Sequence, residues 1–224
     1  MLLYPPVCLL CGAPGAGSLD ICEPCRDSLP RPQRACRACG IALPAIGGGL
    51  CGRCQRRPPR YDAITVPYVY ADPTDWLIQR LKFQARLAHA RLLGRLLARA
   101  VEASDADRPE CLIPVPLHSA RLRERGFNQA AEIARHAGRV LGISLDTRSV
   151  RRSKPTEAQM GLSARGRRAN VRGVFEVCGA TRLAGRHVAV VDDVVTTGST
   201  VEELARVLKR AGTARVDVWA CARA

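Results

Sequence analysis

Val188-Ala189-Val190-Val191-Asp192-Asp193-Val194-Val195-Thr196-Thr197-Gly198-Ser199-Thr200 decides the fold of this 224-residue chain. Its first four residues are small and apolar, as in a central parallel strand covered on both faces. Two acids follow, then a hydroxyl-rich loop that opens a helix expected from Gly198 to Ala211, with Gly212 ending it. Such a loop lies at the carboxyl end of an open α/β sheet, in the crevice where these sheets bind ligands. Gly198 lets the main chain turn tightly and approach an anion, and the helix N-terminus favours a phosphate. Asp192 and Asp193 make little sense for phosphate alone; paired carboxylates suit the vicinal diol of a ribose. The competing account is a strand end followed by a helix cap at Thr197 or Ser199.

Outward from this segment, strands and helices alternate. Ala63 to Tyr70 is β-rich, Thr74 to Val101 has helical leucine spacing, and Cys111 to Pro116 is a short apolar run ending in prolines. Asn128 to Leu141 reads as a helix closed by Gly142, and Arg215 to Ala222 as a last strand. This alternation predicts an α/β fold, a parallel sheet flanked by helices, over residues 61–224. Residues 1–60 are rich in Cys, Pro, Gly and Arg and predict a small separate module, with Gln55 to Arg60 as a linker.

Eight of the 11 cysteines form Cys-x-x-Cys pairs: Cys8/Cys11, Cys22/Cys25, Cys36/Cys39 and Cys51/Cys54. Two such pairs complete a four-cysteine zinc site. Ten residues lie between Cys11 and Cys22 and eleven between Cys39 and Cys51. Sequential pairing then gives two zinc ribbons, and interleaved pairing stays geometrically open. All-cysteine ligation implies structural rather than catalytic zinc. Cys111, Cys178 and Cys221 lie in apolar strand-like runs and are expected to be buried.

The formal net charge of +15 attracts phosphates. Only Lys82, Lys154 and Lys209 of the 35 basic residues are lysines; such an arginine bias is what a GC-rich genome produces without selection for binding, so genome composition and function are equal accounts of the excess. The second ribbon carries Arg31, Arg34, Arg37, Arg53, Arg56, Arg57 and Arg60 but lacks aromatics for base stacking. That favours contact with a nucleic-acid backbone over base reading; solvated arginines on a protein-docking module are the equal alternative. No run approaches a membrane span, the first residues are too short for a signal peptide, and a cytoplasmic location is expected.

The opening segment resembles the signature of type I phosphoribosyltransferases: hydrophobic strand, acid-acid, then Thr-Thr-Gly-x-Thr. It is not a P-loop, because no Gly-Lys-Ser/Thr follows. Ile113-Pro114-Val115-Pro116-Leu117-His118, with Arg121-Leu122-Arg123-Glu124-Arg125-Gly126-Phe127-Asn128-Gln129-Ala130, resembles a stretch of the ComF family. These are phosphoribosyltransferase-like proteins associated with DNA uptake in competent bacteria. Lys154-Pro155-Thr156, Gln159, Leu162, Arg165 and Asn170 resemble that family's second block.

The resemblance implies phosphoribosyl pyrophosphate as ligand, with Mg2+. Thr196, Thr197, Gly198, Ser199 and Thr200 would hold the 5′-phosphate, and Asp192 and Asp193 the ribose. Val115, Pro116, Leu117, His118, Arg121, Arg123 and Arg125 would face the diphosphate. Lys154 and Arg165, in a lid from Lys154 to Asn170, would meet departing charge in a transfer reaction. Three readings stay open: a transferase with an unassigned acceptor, a non-catalytic sensor serving DNA uptake with single-stranded DNA or uptake machinery as partner, and a zinc-ribbon nucleic-acid binder on an inert scaffold.

Overall fold

The computed structural model describes residues 5–46, 48–104, 107–154, 172–178 and 180–224. Six strands form a parallel sheet: β1 (Ala63–Thr65), β2 (Tyr68–Val69), β3 (Cys111–Pro114), β4 (Ser144–Leu145), β7 (His187–Val195) and β8 (Arg215–Arg223). Their order is β1-β8-β7-β3-β4, with β2 also pairing β8. A separate antiparallel pair joins β5 (Val150–Arg152) to β6 (Phe175–Val177). Helices α3 (Thr74–Gln84), α4 (Leu87–Glu102), α5 (Ser119–Arg125), α6 (Gln129–Leu141), α7 (Ala180–Leu183) and α8 (Ser199–Arg210) complete this part. Two single-turn helices, α1 (Glu23–Asp27) and α2 (Gly52–Arg56), lie in the cysteine-rich head. No helix among the described residues is long and apolar enough to cross a membrane.

The sheet is covered on both faces, and β7 shows how. Successive side chains of a strand point to opposite faces. Ala189 and Val191 join a core that includes Leu92, Leu93 and Leu97 of α4 and Ile133 of α6. Val188 and Val190 join the opposite core, with Val201, Leu204 and Leu208 of α8. The expected four-residue strand runs on to Val195, because Asp192, Val194 and Val195 stay paired with Ala220, Ala222 and Arg223. The two acids therefore belong to the rigid ladder, not to the loop after it.

Local signals hold elsewhere. Asn128 Oδ1 accepts from the backbone N–H of Ala130 (3.0 Å) and Ala131 (3.3 Å), capping α6, and left-handed Gly142 closes that helix. The expected run from Thr74 to Val101 is two helices, broken where Ala85 takes a left-handed conformation (φ 51°). The leucine spacing conceals this break, since both helices bury leucines against one core. Cys111 and Cys221 are buried as expected, but Cys178 is exposed, because it sits in a bend just past β6.

The head packs on this frame. Leu19, Ile21 and Leu29 are buried in the same cluster as Leu77, Leu81 and Trp219, and each such side chain contributes about 1.5–3 kcal/mol. Arg91 of α4 adds a two-pronged bond to Asp20 (2.7 and 2.8 Å).

Helices α4 and α6 cross at Gly94, where a Cβ would stand 2.6 Å from the Ile133 carbonyl oxygen and 2.7 Å from His136 Cβ. Gly94→Ala should gain about 1 kcal/mol of helix propensity yet lose more to the clash with backbone, about 1–3 kcal/mol. Urea unfolding should show net destabilisation; a more stable variant would mean the helices can move apart freely.

Candidate functional site

The carboxyl ends of β3 and β7 open on a cleft of 240 Å³. Asp192, Asp193, Thr196, Gly198, Ser199 and Thr200 line it from the β7–α8 side, and Val115, Leu117 and Arg121 from the β3–α5 side. The two segments singled out in the sequence thus meet. Thr197 stands behind the lining, its Oγ1 2.9 Å from Ser199 Oγ. Gly198, at φ +79°, turns the chain into α8.

Other expected residues have local duties. His118 caps α5, its Nδ1 accepting from the Ala120 N–H (3.3 Å). Arg125 donates to Gln129 Oε1 (2.7 Å) and lies over the Phe83 ring. Pro116 is half-buried and Arg123 exposed. Lys154 is exposed just after β5. Thr156, Gln159, Leu162, Arg165 and Asn170, and so most of the expected lid, lie outside the described residues.

Four lining residues with polar side-chain groups carried no sequence expectation of a role here: Tyr70, Lys82, Gln129 and Arg152. Lys82 is a lysine on an otherwise arginine-dominated surface, the one hint available. Its ammonium pairs with Asp193, whose Oδ1 also accepts from Gln129 Nε2 (3.3 Å). Strand parity puts Asp193 on the face covered by α4 and α6, within reach of both partners. Burial alone would raise the Asp193 carboxyl; the Lys82 charge and hydrogen bond, with help from Asp192 and Gln129, hold it below the usual range. Asp192 goes the other way: burial, then the neighbouring Asp193 charge, push it well above that range. The cleft therefore brings two adjacent acids together with Lys82, Arg121 and Arg152, and the Lys82 charge acts on Asp192 as well as on Asp193.

The eight paired cysteines form two clusters, Cys8/Cys11/Cys22/Cys25 and Cys36/Cys39/Cys51/Cys54, so the pairing is sequential. Within each, the ligand atoms lie within 4.8 Å of one another. A tetrahedral zinc with Zn–S of about 2.3 Å needs S···S of about 3.8 Å, and Cys39 and Cys51 already stand at 3.8 Å. Burial tends to raise the Cys8 thiol, but backbone N–H groups of Cys22, Cys11 and Leu10 bring it down to about 6. Cys36 is brought to about 7 in the same way, with the Cys51 N–H 3.3 Å from its sulfur. Both clusters fit zinc in donor type and spacing.

A second concavity of 500 Å³ runs between the second ribbon and α8, lined by Arg53, Arg57, Arg60, Arg172, Arg206 and Arg210 among others. Glu202 and Glu203 are its acids, and among the described residues no aromatic side chain lines it.

Residues 1–55 match the family described as "Double zinc ribbon domain", and residues 122–223 the family described as "Phosphoribosyl transferase domain". The chain is 39% identical over 229 residues to DNA utilization protein YhgH of Escherichia coli O157:H7, covering 100% of this chain and 99% of that one. It is 37% identical over 211 residues to Competence protein F of Haemophilus influenzae (91% and 90% covered). Identity to Competence protein ComFC of Bacillus subtilis is 24% over 234 residues (95% and 92% covered).

The Lys82–Asp193 pair has a defined pH window. The depressed carboxyl contributes stability that is complete above about pH 3.9 and lost as pH falls through its folded value. The raised ammonium contributes below about pH 10.4 and fails above its own folded value. Lys82→Met should therefore cost about 3–5 kcal/mol throughout the neutral range, with the gap to the unsubstituted protein closing in acid. Urea unfolding from pH 7 to pH 3 measures this; a gap that widens in acid would refute the assigned direction.

Proposed function

We propose that this chain, which belongs to the ComF family of double-zinc-ribbon, phosphoribosyltransferase-domain proteins, binds phosphoribosyl pyrophosphate with Mg2+ and serves the handling of DNA. One observation supports the ligand above others: a pair of acids on a rigid strand shares a single cleft with a hydroxyl-rich helix-opening loop and with Arg121. In this reading residues 1–60 are a ribbon head with two structural zinc ions, and residues 61–224 hold the ligand. The protein works in the cytoplasm.

Each part of the ligand then has a partner. Thr196 to Thr200 bind the 5′-phosphate through backbone N–H groups and hydroxyls at the start of α8. Asp192 and Asp193 accept from the ribose hydroxyls, and Arg121 and Arg152 face the diphosphate, whose charge exceeds what backbone donors can offset. Mg2+ would suit the adjacent carboxyl oxygens of Asp192 and Asp193; when bound it would offset the diphosphate charge further. For transfer to an acceptor, the chain's contribution is positioning and electrostatic relief of the leaving group, with Lys154 and Arg165 as the residues nearest to that duty by family pattern. The alternative is a sensor that binds the same ligand without turnover. A pyrophosphate-release screen over nucleobases separates the two.

The arginine-lined groove supports a nucleic-acid partner. Its cations suit a phosphate backbone, and the lack of aromatics among its described lining residues argues against base stacking.

Titration calorimetry with phosphoribosyl pyrophosphate should show Mg2+-dependent binding, and Asp192→Asn with Asp193→Asn should weaken it about tenfold or more while circular dichroism is unchanged. Absence of binding at millimolar ligand would refute the ligand. Metal analysis should return two zinc ions per chain; a value near zero would refute the ribbons. Single-stranded DNA should bind with an affinity that falls steeply with salt, and Arg57→Glu with Arg206→Glu should flatten that dependence. An unchanged salt slope would remove the groove from the DNA-binding surface.

A further inference from the structure

The second ribbon touches the phosphate loop directly. Arg53 lies between the ligands Cys51 and Cys54, and its guanidinium donates to the Thr197 carbonyl. The same group stands 3.5 Å from Glu202 in the first turn of α8. Arg223, buried at the end of β8, donates from Nε to the carbonyl of Cys39, another ligand of that cluster (3.0 Å). Its Nη1 donates to the Val195 carbonyl (2.9 Å) and to the Thr196 carbonyl. Three successive carbonyls, of Val195, Thr196 and Thr197, thus accept from two arginines anchored at the Cys36/Cys39/Cys51/Cys54 cluster, the first of them also from the Ala224 N–H (3.1 Å).

A trans peptide points its C=O and N–H in opposite directions. Fixing those three carbonyls on the ribbon side turns the N–H groups of Thr196, Thr197 and Gly198 away from the ribbon. Three consecutive amides so directed make an anion-binding nest. Gly198 is part of the same contact: a Cβ there would stand 3.9 Å from Arg53 Nη1. The first ribbon makes no comparable contact among the described residues; its polar anchors, Asp20 to Arg91 and Ser18 to Arg95, lie on α4.

We propose that Arg53 and Arg223 are positioning residues that set the orientation of the phosphate loop, so that the anion affinity of the cleft depends on the integrity of the second ribbon. The ribbon then belongs to the ligand site, and loss of its metal loosens the nest. The identity of the anion rests on the function proposed above; the clamp itself does not.

The test uses the full chain, first without ligand. Hydrogen exchange of the peptide spanning residues 195–200 should speed up by about tenfold in Arg53→Gln, with Arg53→Lys recovering part of the protection and metal content unchanged. Exchange in α6 serves as the control for global loosening and should not move. Zinc removal by a chelator should loosen the same peptide, and added zinc should restore it. Binding is then compared for two probes. Arg53→Gln should weaken ribose 5-phosphate by about tenfold and leave inorganic pyrophosphate, which engages the β3–α5 side, within a factor of two. Unchanged exchange in Arg53→Gln, or equal weakening of both probes, overturns the proposal. A loop that loosens as expected in a protein that binds neither probe supports the clamp and refutes the ligand reading instead.

Discussion

Parallel pairing of β3, β7 and β8 constrains everything else in this molecule. Strands that run the same way release their following loops at the same edge. The Val115 segment after β3 and the Thr196 segment after β7 therefore meet, although some eighty residues separate them in the chain. The ladder extends past the two acids to Val195, so Asp192 and Asp193 are carried by hydrogen-bonded backbone. Their alternation across the strand gives them different surroundings: Asp193 reaches the Lys82 ammonium and the Gln129 amide, while half-buried Asp192 is governed by desolvation and the neighbouring Asp193 charge. One geometric rule thus yields two carboxyls of opposite tendency side by side.

The chain's basic excess is organised around this arrangement. Some arginines serve as struts: exposed Arg91 holds the first ribbon through buried Asp20, and Arg223 is buried among carbonyl oxygens. Others, such as Arg57, Arg60 and Arg210, line an open groove. Arg223 has hydrogen-bond partners that justify its burial, whereas the groove arginines, beyond the Arg53–Glu202 and Arg206–Glu203 pairs, repel one another unless an anion lies between them. Net charge alone could not separate these two populations.

Features governed by neighbours in sequence were readable in advance. Asn128 caps α6, Gly142 ends it, and each Cys-x-x-Cys turn presents two sulfurs to one site whatever surrounds it. The hydrophobic spacing of β7 and α8 marked the strand-loop-helix unit. Contacts across long separations were not readable. Gln129 meets Asp193 at a separation of 64 residues, and Arg53 meets Thr197 at 144; neither residue type nor spacing announces such a partner. Lys82 sits in a helix whose leucine pattern explains its shape but not which acid it faces. The break at Ala85 escaped for a related reason, since both helices bury the same kind of stripe.

The bond from Arg223 to the Cys39 carbonyl spans 184 residues, which bears on how the molecule is made. At about 5–20 residues per second, roughly 10–40 s of synthesis separate the two partners. During that interval the second ribbon has left the ribosome while β8, the strand it docks against, does not yet exist. Its small cluster of Cys36, Cys39 and Cys54 has few apolar neighbours of its own, so a metal held by its four thiolates would be what keeps the ribbon in shape while it waits. A zinc ion held there would be needed before the core is finished.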